Sequence, residues 1–79
     1  MRLDKYLKVS RVIKRRTVAN EACDAGRISV NGNTAKASYE VKIGDILEVR
    51  LGANPMKIRV LGITAVVKKE EVGDLYEII

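Results

Sequence analysis

Hydrophobic and polar positions follow two different periods along this chain, and the change between them falls near residue 27. At the start, side chains that can pack recur at the spacing of one helix face, at Leu3, Tyr6, Leu7 and Ser10. The roughly opposite face of the same predicted helix carries the basic side chains Lys5, Lys8 and Arg11. One face therefore packs against the protein, and the other is available to a partner.

A second, shorter helix is predicted over residues 18–25. Thr17 precedes it and is a residue type that caps helix N-termini. A narrow apolar stripe is expected at Val18, Ala19, Ala22 and Ala25. Gly26 supplies the left-handed conformation that commonly ends a helix. Because the stripe consists mainly of alanine, the two helices can approach each other closely.

From residue 27 onward the pattern is that of β-strands. Residues 28–30 form a short strand before Asn31 and Gly32, the dipeptide that most strongly favours a tight hairpin turn. Gly44 and Asp45 form a turn before a strand at 46–51, and residues 56–62 alternate between apolar and polar positions. A last strand is predicted at 75–79, after a connecting loop that carries the charged residues 68–71.

These elements predict an α+β fold in which two short N-terminal helices pack on a small, twisted, mainly antiparallel β-sheet. A chain of 79 residues makes one small domain, and a hydrophobic content of 47% argues against disorder. We therefore expect a single, monomeric domain over residues 1–79. Its helical part spans about 1–26, and its β part spans about 27–79.

Charge is segregated along the chain. Residues 1–16 carry seven basic side chains and one acidic side chain, a balance of +6, whereas the other residues carry eight basic and nine acidic ones, a balance of −1. A compact cationic cluster concentrates anions and releases counterions when it meets phosphates. The candidate nucleic-acid-binding residues are therefore the basic side chains of this segment: Arg2, Lys5, Lys8, Arg11, Lys14, Arg15 and Arg16.

The predicted helices give these side chains different positions. Those from Arg2 to Arg11 are expected to project from the first helix. Arg15 and Arg16 lie at the junction before the second helix, where guanidinium groups can pair with phosphate or stack on an unpaired base. Asp4 is expected to orient a neighbouring arginine or to cap the first helix.

The remaining candidates for chemistry are few. Tyr6 is expected in the core, and Tyr39, in a predicted loop, is the better candidate for stacking on a base. Cys23 is expected to be a small buried side chain, because the chain has no histidine to activate a thiol. No phosphate-binding loop, dinucleotide fingerprint or metal-ligand spacing is present in the sequence. We therefore predict a binding protein that is not an enzyme and uses no cofactor or metal.

Several other classes of partner are disfavoured. One cysteine and the lack of a long apolar run predict a cytoplasmic protein without a membrane partner. Attachment of the basic helix to anionic lipid remains an alternative hypothesis, although the chain has no Trp or Phe to anchor it. DNA binding is disfavoured because the second helix is expected to expose Asn20, Glu21 and Asp24.

The order of these features resembles a known family. The residues that carry the resemblance are spread over more than half of the chain: Arg2, Leu3, Asp4, Leu7, Arg15, Thr17, Ala19, Gly26, Val30, Asn31, Gly32, Val41, Gly44 and Asp45. They resemble the alpha-L RNA-binding motif, the domain named after ribosomal small-subunit protein four. The resemblance implies an L-shaped, positively charged surface, built from two helices and a hairpin, that docks on structured RNA.

Within that family, the chain is most similar to the stand-alone bacterial proteins of the RqcP and heat-shock-fifteen type. The similarity rests on MRLDKYLKVSRVIKRRT, GRISVNGNTAKAS and KKEE. It implies a factor of ribosome-associated quality control that binds large-subunit ribosomal RNA and peptidyl-tRNA and assists RqcH in adding C-terminal alanine tails to stalled chains. It also implies that Arg2 and Arg16 contact ribosomal RNA. The alternative is an RNA-binding protein of ribosome assembly or tRNA handling without a tailing role.

Overall fold

The computed structural model describes residues 1–64 and 73–79. The elements in chain order are α1 (Leu3–Val9), α2 (Arg16–Asp24), β1 (Ile28–Val30), β2 (Asn33–Thr34), β3 (Ile46–Val49), β4 (Met56–Val60) and β5 (Tyr76–Ile78). The strands form one antiparallel sheet in the order β2-β1-β3-β4-β5. The predicted α+β class is confirmed, and the loop predicted around residues 68–71 lies outside the described residues.

The predicted packing face of α1 is confirmed, because Leu3, Tyr6, Leu7 and Ser10 are all buried. Arg2, the N-cap residue of this helix, makes no side-chain capping hydrogen bond. Instead, the amide of Leu3 donates to the carbonyl oxygen of Tyr39 at 2.8 Å, and the amide of Asp4 donates to that of Ala37 at 3.2 Å. Backbone from the segment before β3 therefore satisfies two amides that the first turn of a helix leaves unpaired.

The prediction that Arg11 projects from the first helix is wrong. The helix ends at Val9, and Arg11 has a φ of 63°, in the left-handed region that a helix cannot include. The connection to α2 is held instead by Ile13, which is buried and donates its amide to the carbonyl of Leu7 at 3.0 Å. Because Ile13 is anchored in the core, the chain turns after Val9. Arg11 is therefore exposed in the connection between the two helices.

The second helix also begins earlier than predicted. It starts at Arg16, and Thr17 lies inside it rather than capping it. Its buried residues are Ala19, Ala22 and Cys23, whereas Val18 and Ala25 are exposed. The prediction is confirmed for Ala19 and Ala22 and wrong for Val18 and Ala25, because Cys23 completes the buried i, i+3, i+4 set that starts at Ala19.

The helix end predicted at Gly26 and the hairpin turn predicted at Asn31 and Gly32 are both confirmed. Gly26 has a φ of 74°, its amide donates to Cys23, and the next amide donates to Ala22, which is the Schellman arrangement at the end of a helix. Asn31 and Gly32 have φ values of 51° and 87°, as a two-residue hairpin turn between β1 and β2 requires.

One face of the sheet forms the core beneath the helices. Its buried side chains are Ile28, Val30, Leu47, Val49, Ile58 and Val60. The last strand joins this sheet by pairing with β4. The buried hydroxyl of Tyr6 donates to the carbonyl of Leu75, just before β5, at 2.6 Å. The core therefore ties the first helix to the last strand.

Candidate nucleic-acid interface

A buried carboxylate on the first turn of α1 organises the basic end of the molecule. Asp4 is 3% exposed, and its Oδ1 accepts hydrogen bonds from Nε of Arg2 at 3.2 Å and from the amide of Lys5 at 2.8 Å. Its Oδ2 lies 3.5 Å from Nε of Arg16 and accepts a hydrogen bond from Nδ2 of Asn20 at 3.3 Å. We call Asp4, Arg2, Arg16 and Asn20 the Asp4 cluster.

The surroundings keep the Asp4 carboxyl ionised. Burial by itself raises the pKa of this group, but the hydrogen bonds from Asn20, the Lys5 amide, Arg2 and Arg16 outweigh burial and bring the pKa below its ordinary value. The sequence-based expectation that Asp4 orients a neighbouring arginine is therefore confirmed, and the structure shows that it holds two.

The side chains of the two arginines in the cluster are about half exposed to solvent. Their side chains are 47% exposed for Arg2 and 49% exposed for Arg16. Asp4 faces the Nε atom of each guanidinium, and Nη2 of Arg2 also donates to Oδ2 of Asp4 at 3.5 Å. Nη1 of Arg2 and both terminal nitrogens of Arg16 therefore have no hydrogen bond among the described residues. A guanidinium held in this way offers parallel N–H donors, the geometry that pairs with two oxygens of one phosphate.

Five further basic side chains lie on α1 and on its connection to α2. Lys5 is half-buried on α1, and the others are exposed on α1 or on the connection of residues 10–15: Lys8, Arg11, Lys14 and Arg15. None of the five forms an ion pair within residues 1–64 and 73–79. In the β part, Arg50 is paired with Glu48 and Arg59 with Glu77. The structure therefore gathers the seven predicted residues at the helical end, with their charge largely uncompensated.

The first residues are fixed in place by residues 37–41. Arg2 forms an antiparallel bridge with Glu40, and the amide of Val41 donates to the carbonyl of Met1 at 2.9 Å. The ammonium group of Met1 lies 2.9 Å from Oε2 of Glu40. These contacts set the backbone position of Arg2 before any ligand arrives.

Residues 37–41 are themselves anchored by a second buried carboxylate. Asp45 accepts hydrogen bonds from the hydroxyl of Tyr39 at 2.9 Å, the amide of Lys42 at 2.9 Å and Nδ2 of Asn31 at 3.1 Å. The hydrogen bond to Asp45 raises the pKa of Tyr39. Tyr39 was the sequence-based candidate for base stacking, but its hydroxyl is engaged here and its ring is half-buried against the core.

Sequence reasoning missed one basic residue beside the cluster. Lys36 is exposed and lines the same groove as Arg2, together with Asn20 and Asp24 of α2. It lies more than thirty residues from Arg2 in the sequence, in a stretch whose overall charge balance is not basic. Only the contact between the N-terminal segment and residues 37–41 brings the two side chains to one groove.

Tyr6 and Cys23 lie in the core, as predicted. Burial, aided by the carboxylates of Asp4 and Asp24, raises the pKa of the Cys23 thiol to about 11, so this thiol stays protonated at neutral pH. Within residues 1–64 and 73–79, no three His, Cys, Asp or Glu side chains lie together as metal ligands would. In the same part of the chain, no helix has the length and apolar character that a bilayer crossing requires.

Comparison with known proteins places these features in a family. The S4 domain family model matches residues 1–47. The chain is 56% identical over 79 residues to the RQC P-site tRNA stabilizing factor of Bacillus subtilis, covering all of this chain and 92% of that protein. It is 54% identical over 78 residues to the protein of the same name from Halalkalibacterium halodurans, covering 99% of this chain and 89% of the relative.

A solved structure shares the whole fold. The trimeric structure of Vibrio cholerae Heat Shock Protein 15 has a TM-score of 0.93 at 31% sequence identity, covering all of this chain and 81% of that one. The family match includes both helices, the Asp4 cluster and the hairpin. The chain therefore belongs to the S4 domain family and, within it, to the group that contains the RQC P-site tRNA stabilizing factors and is related to Heat Shock Protein 15.

Proposed function

We propose that this protein is an RNA-binding factor of ribosome-associated quality control. It binds large-subunit ribosomal RNA and peptidyl-tRNA on obstructed subunits and assists RqcH-dependent alanine tailing of the stalled chain. The names of the relatives support the pathway and the tRNA partner. The observation that carries the binding role is the Asp4 cluster, in which one buried carboxylate holds two half-exposed guanidinium groups.

The cluster favours binding to the phosphates of RNA because its two arginines are held in position before the ligand arrives. Long arginine side chains lose conformational entropy when a ligand immobilises them, and this loss weakens association. Asp4 restricts Arg2 and Arg16 in the free protein, so less entropy remains to be lost on contact with phosphate. The neighbouring Lys8, Arg11 and Arg15 add charge attraction at the same end of the molecule.

We propose that the protein catalyses no reaction on the RNA that it binds. The seven basic side chains act as donors and charges, and the protein holds the RNA in position. If about five phosphates are neutralised, the slope of log affinity against log salt is roughly −3.5 to −4.5. Affinity then falls by about two orders of magnitude over a fourfold rise in salt concentration.

The direct test is co-sedimentation with purified large ribosomal subunits that retain peptidyl-tRNA. We expect the wild type to co-migrate at low salt and the double variant Arg2→Gln, Arg16→Gln to be lost from the subunit fraction. The control is Arg59→Gln, which removes one exposed arginine from the sheet, where Arg59 is paired with Glu77. Failure of the wild type to co-migrate, or retention of the double variant, would contradict the proposal.

The tailing role needs its own test, because RNA binding alone also fits ribosome assembly or tRNA handling. Cells that lack the gene should accumulate stalled products without C-terminal alanine tails, and the wild-type gene should restore the tails. Complementation with the Arg2→Gln, Arg16→Gln variant should fail, whereas Arg59→Gln should succeed. Normal tailing in the deletion strain would contradict the tailing role. It would not contradict RNA binding, and it would favour a role in ribosome assembly or tRNA handling.

A further inference from the structure

A polar groove runs beside the Asp4 cluster, between α2 and the segment of residues 34–38. Its volume is about 650 Å³, and the polar side chains that line it are Arg2, Asn20, Asp24, Thr34, Lys36 and Ser38. We call it the α2 groove. Cavities of roughly 300–1,000 Å³ suit ligands of the size of one nucleotide.

Both walls of the α2 groove are held by backbone contacts. The carbonyls of Ala37 and Tyr39 accept the first amides of α1, which fixes the wall that carries Lys36 and Ser38. On the opposite wall, the Schellman arrangement at Gly26 fixes the last turn of α2, which carries Asp24. The groove therefore exists in the free protein and does not depend on a ligand to form it.

The charges in the α2 groove do not match a phosphate alone. Arg2 and Lys36 are cations that attract phosphate, but the exposed carboxylate of Asp24 on the facing wall repels it. Neither Lys36 nor Asp24 has an ion-pair partner within residues 1–64 and 73–79. A fitting ligand therefore carries a negative group at one end and hydrogen-bond donors at the other.

An unpaired guanine nucleotide meets both requirements. Its phosphate is available to Arg2 and Lys36, and its Watson–Crick edge presents the adjacent N1–H and N2–H donors, which one carboxylate can accept together. Uracil presents a single N–H donor on that edge. In a duplex the edge is already paired, so the base must be unpaired to reach Asp24.

We propose that the α2 groove binds one unpaired nucleotide of the RNA target, with Asp24 selecting guanine and with Arg2 and Lys36 holding the phosphate. This proposal rests on the RNA-binding function and adds to it a base preference. The charged cluster supplies affinity for any phosphate backbone, whereas Asp24 reads one base.

Hairpin RNAs that differ only in one bulged nucleotide test the proposal. The set contains a bulged G, A, C or U and a fully paired hairpin, and binding is followed by fluorescence anisotropy at fixed salt. We expect the wild type to bind the bulged-G hairpin about tenfold more tightly than the bulged-U hairpin, as a two-hydrogen-bond base contact provides. Asp24→Ala should abolish this preference.

Glu21→Ala is the matched control. Glu21 is also an exposed carboxylate on α2, but it lines a different depression, beside Arg16 and Thr17. Both variants remove one negative charge from the same helix, so both should raise affinity for the bulged-U and fully paired hairpins by a similar factor. Only Asp24→Ala should remove the difference between G and U.

Lys36→Ala provides a second, independent variant. It should weaken binding of the bulged-G hairpin more than binding of the fully paired one. Equal wild-type affinity for all bulges, or a G preference that survives Asp24→Ala, would overturn the base selection and leave the RNA-binding function intact. If the wild type binds no hairpin and no ribosomal subunit at low salt, the RNA-binding function itself fails.

Discussion

Arg16 and Asp4 belong to different helices, and Nε of Arg16 lies 3.5 Å from Oδ2 of Asp4. The same carboxylate binds Nε of Arg2, so a single buried acid determines where two guanidinium groups point. An acidic residue inside a basic surface would ordinarily weaken the attraction for RNA. Here the loss of charge is offset by the fixed orientation of both arginines.

Asp4→Ala should therefore weaken RNA binding, although it makes the surface more positive. Its loss removes charge-assisted hydrogen bonds worth about 1.5–3 kcal/mol each, and a tenfold or greater fall in affinity is expected. Glu21→Ala makes the same change in net charge at an exposed site and should strengthen binding slightly. Anisotropy titrations with one hairpin RNA compare the two, and stronger binding by Asp4→Ala would contradict the positioning role.

Arg16→Lys should not restore the function of Arg16. A lysine keeps the positive charge, but it has no Nε–H to face Asp4 while other donors face the phosphate. We expect the slope of log affinity against log salt to change little and the affinity to fall several-fold. An affinity equal to that of the wild type would show that Arg16 acts only through its charge.

Tyr39→Phe tests the anchoring of residues 37–41 on Asp45. The variant removes one hydrogen bond to a charged group, which contributes about 1.5–3 kcal/mol to the free energy of unfolding. RNA affinity should fall as well, because the carbonyl of Tyr39 positions the start of α1. Tyr76→Phe is the control, since no hydrogen bond of its hydroxyl occurs within the described residues. Urea denaturation and anisotropy measure the two effects.

Acid should destabilise the fold through its two buried carboxylates. Hydrogen bonds lower the pKa of Asp4 and of Asp45 below their ordinary values, despite the opposing effect of burial. Their contribution is complete above the unfolded pKa of about 4 and is lost as the pH falls through the folded pKa. Urea denaturation at stepped pH should show this loss. Asp4→Asn should flatten the profile below about pH 4.

Local patterns were enough to predict much of the fold. The buried face of α1, the hairpin at Asn31 and Gly32, and the helix end at Gly26 each depend on neighbouring residues, so the sequence contains their signals. Arg11 was placed wrongly because the burial of Ile13, a tertiary contact, ends the helix early. Tertiary packing also brings Lys36 beside Arg2, and no local pattern carries that information.

The double role of Asp4 lay beyond the sequence for a similar reason. Its position on the first turn suggested an arginine neighbour, but the approach of Arg16 and Asn20 depends on how α2 crosses α1. That crossing is set by the buried Ala19, Ala22 and Cys23, which were each predicted to be buried, but the sequence does not give the angle at which the two helices cross. The basic residues were predicted as a group from the sequence and remain a prediction as RNA contacts, whereas their arrangement required the three-dimensional structure.

The hydrogen bond from Tyr6 to Leu75 joins residues that are 69 positions apart. During synthesis, the helix that carries Arg2 and Asp4 emerges first, yet its buried tyrosine finds this acceptor only after residue 75 has left the exit tunnel. Before that point, the phenol group that is buried under the first helix has no acceptor in its native position. The helix at one end of the chain and the segment before the last strand thus acquire their native contacts together.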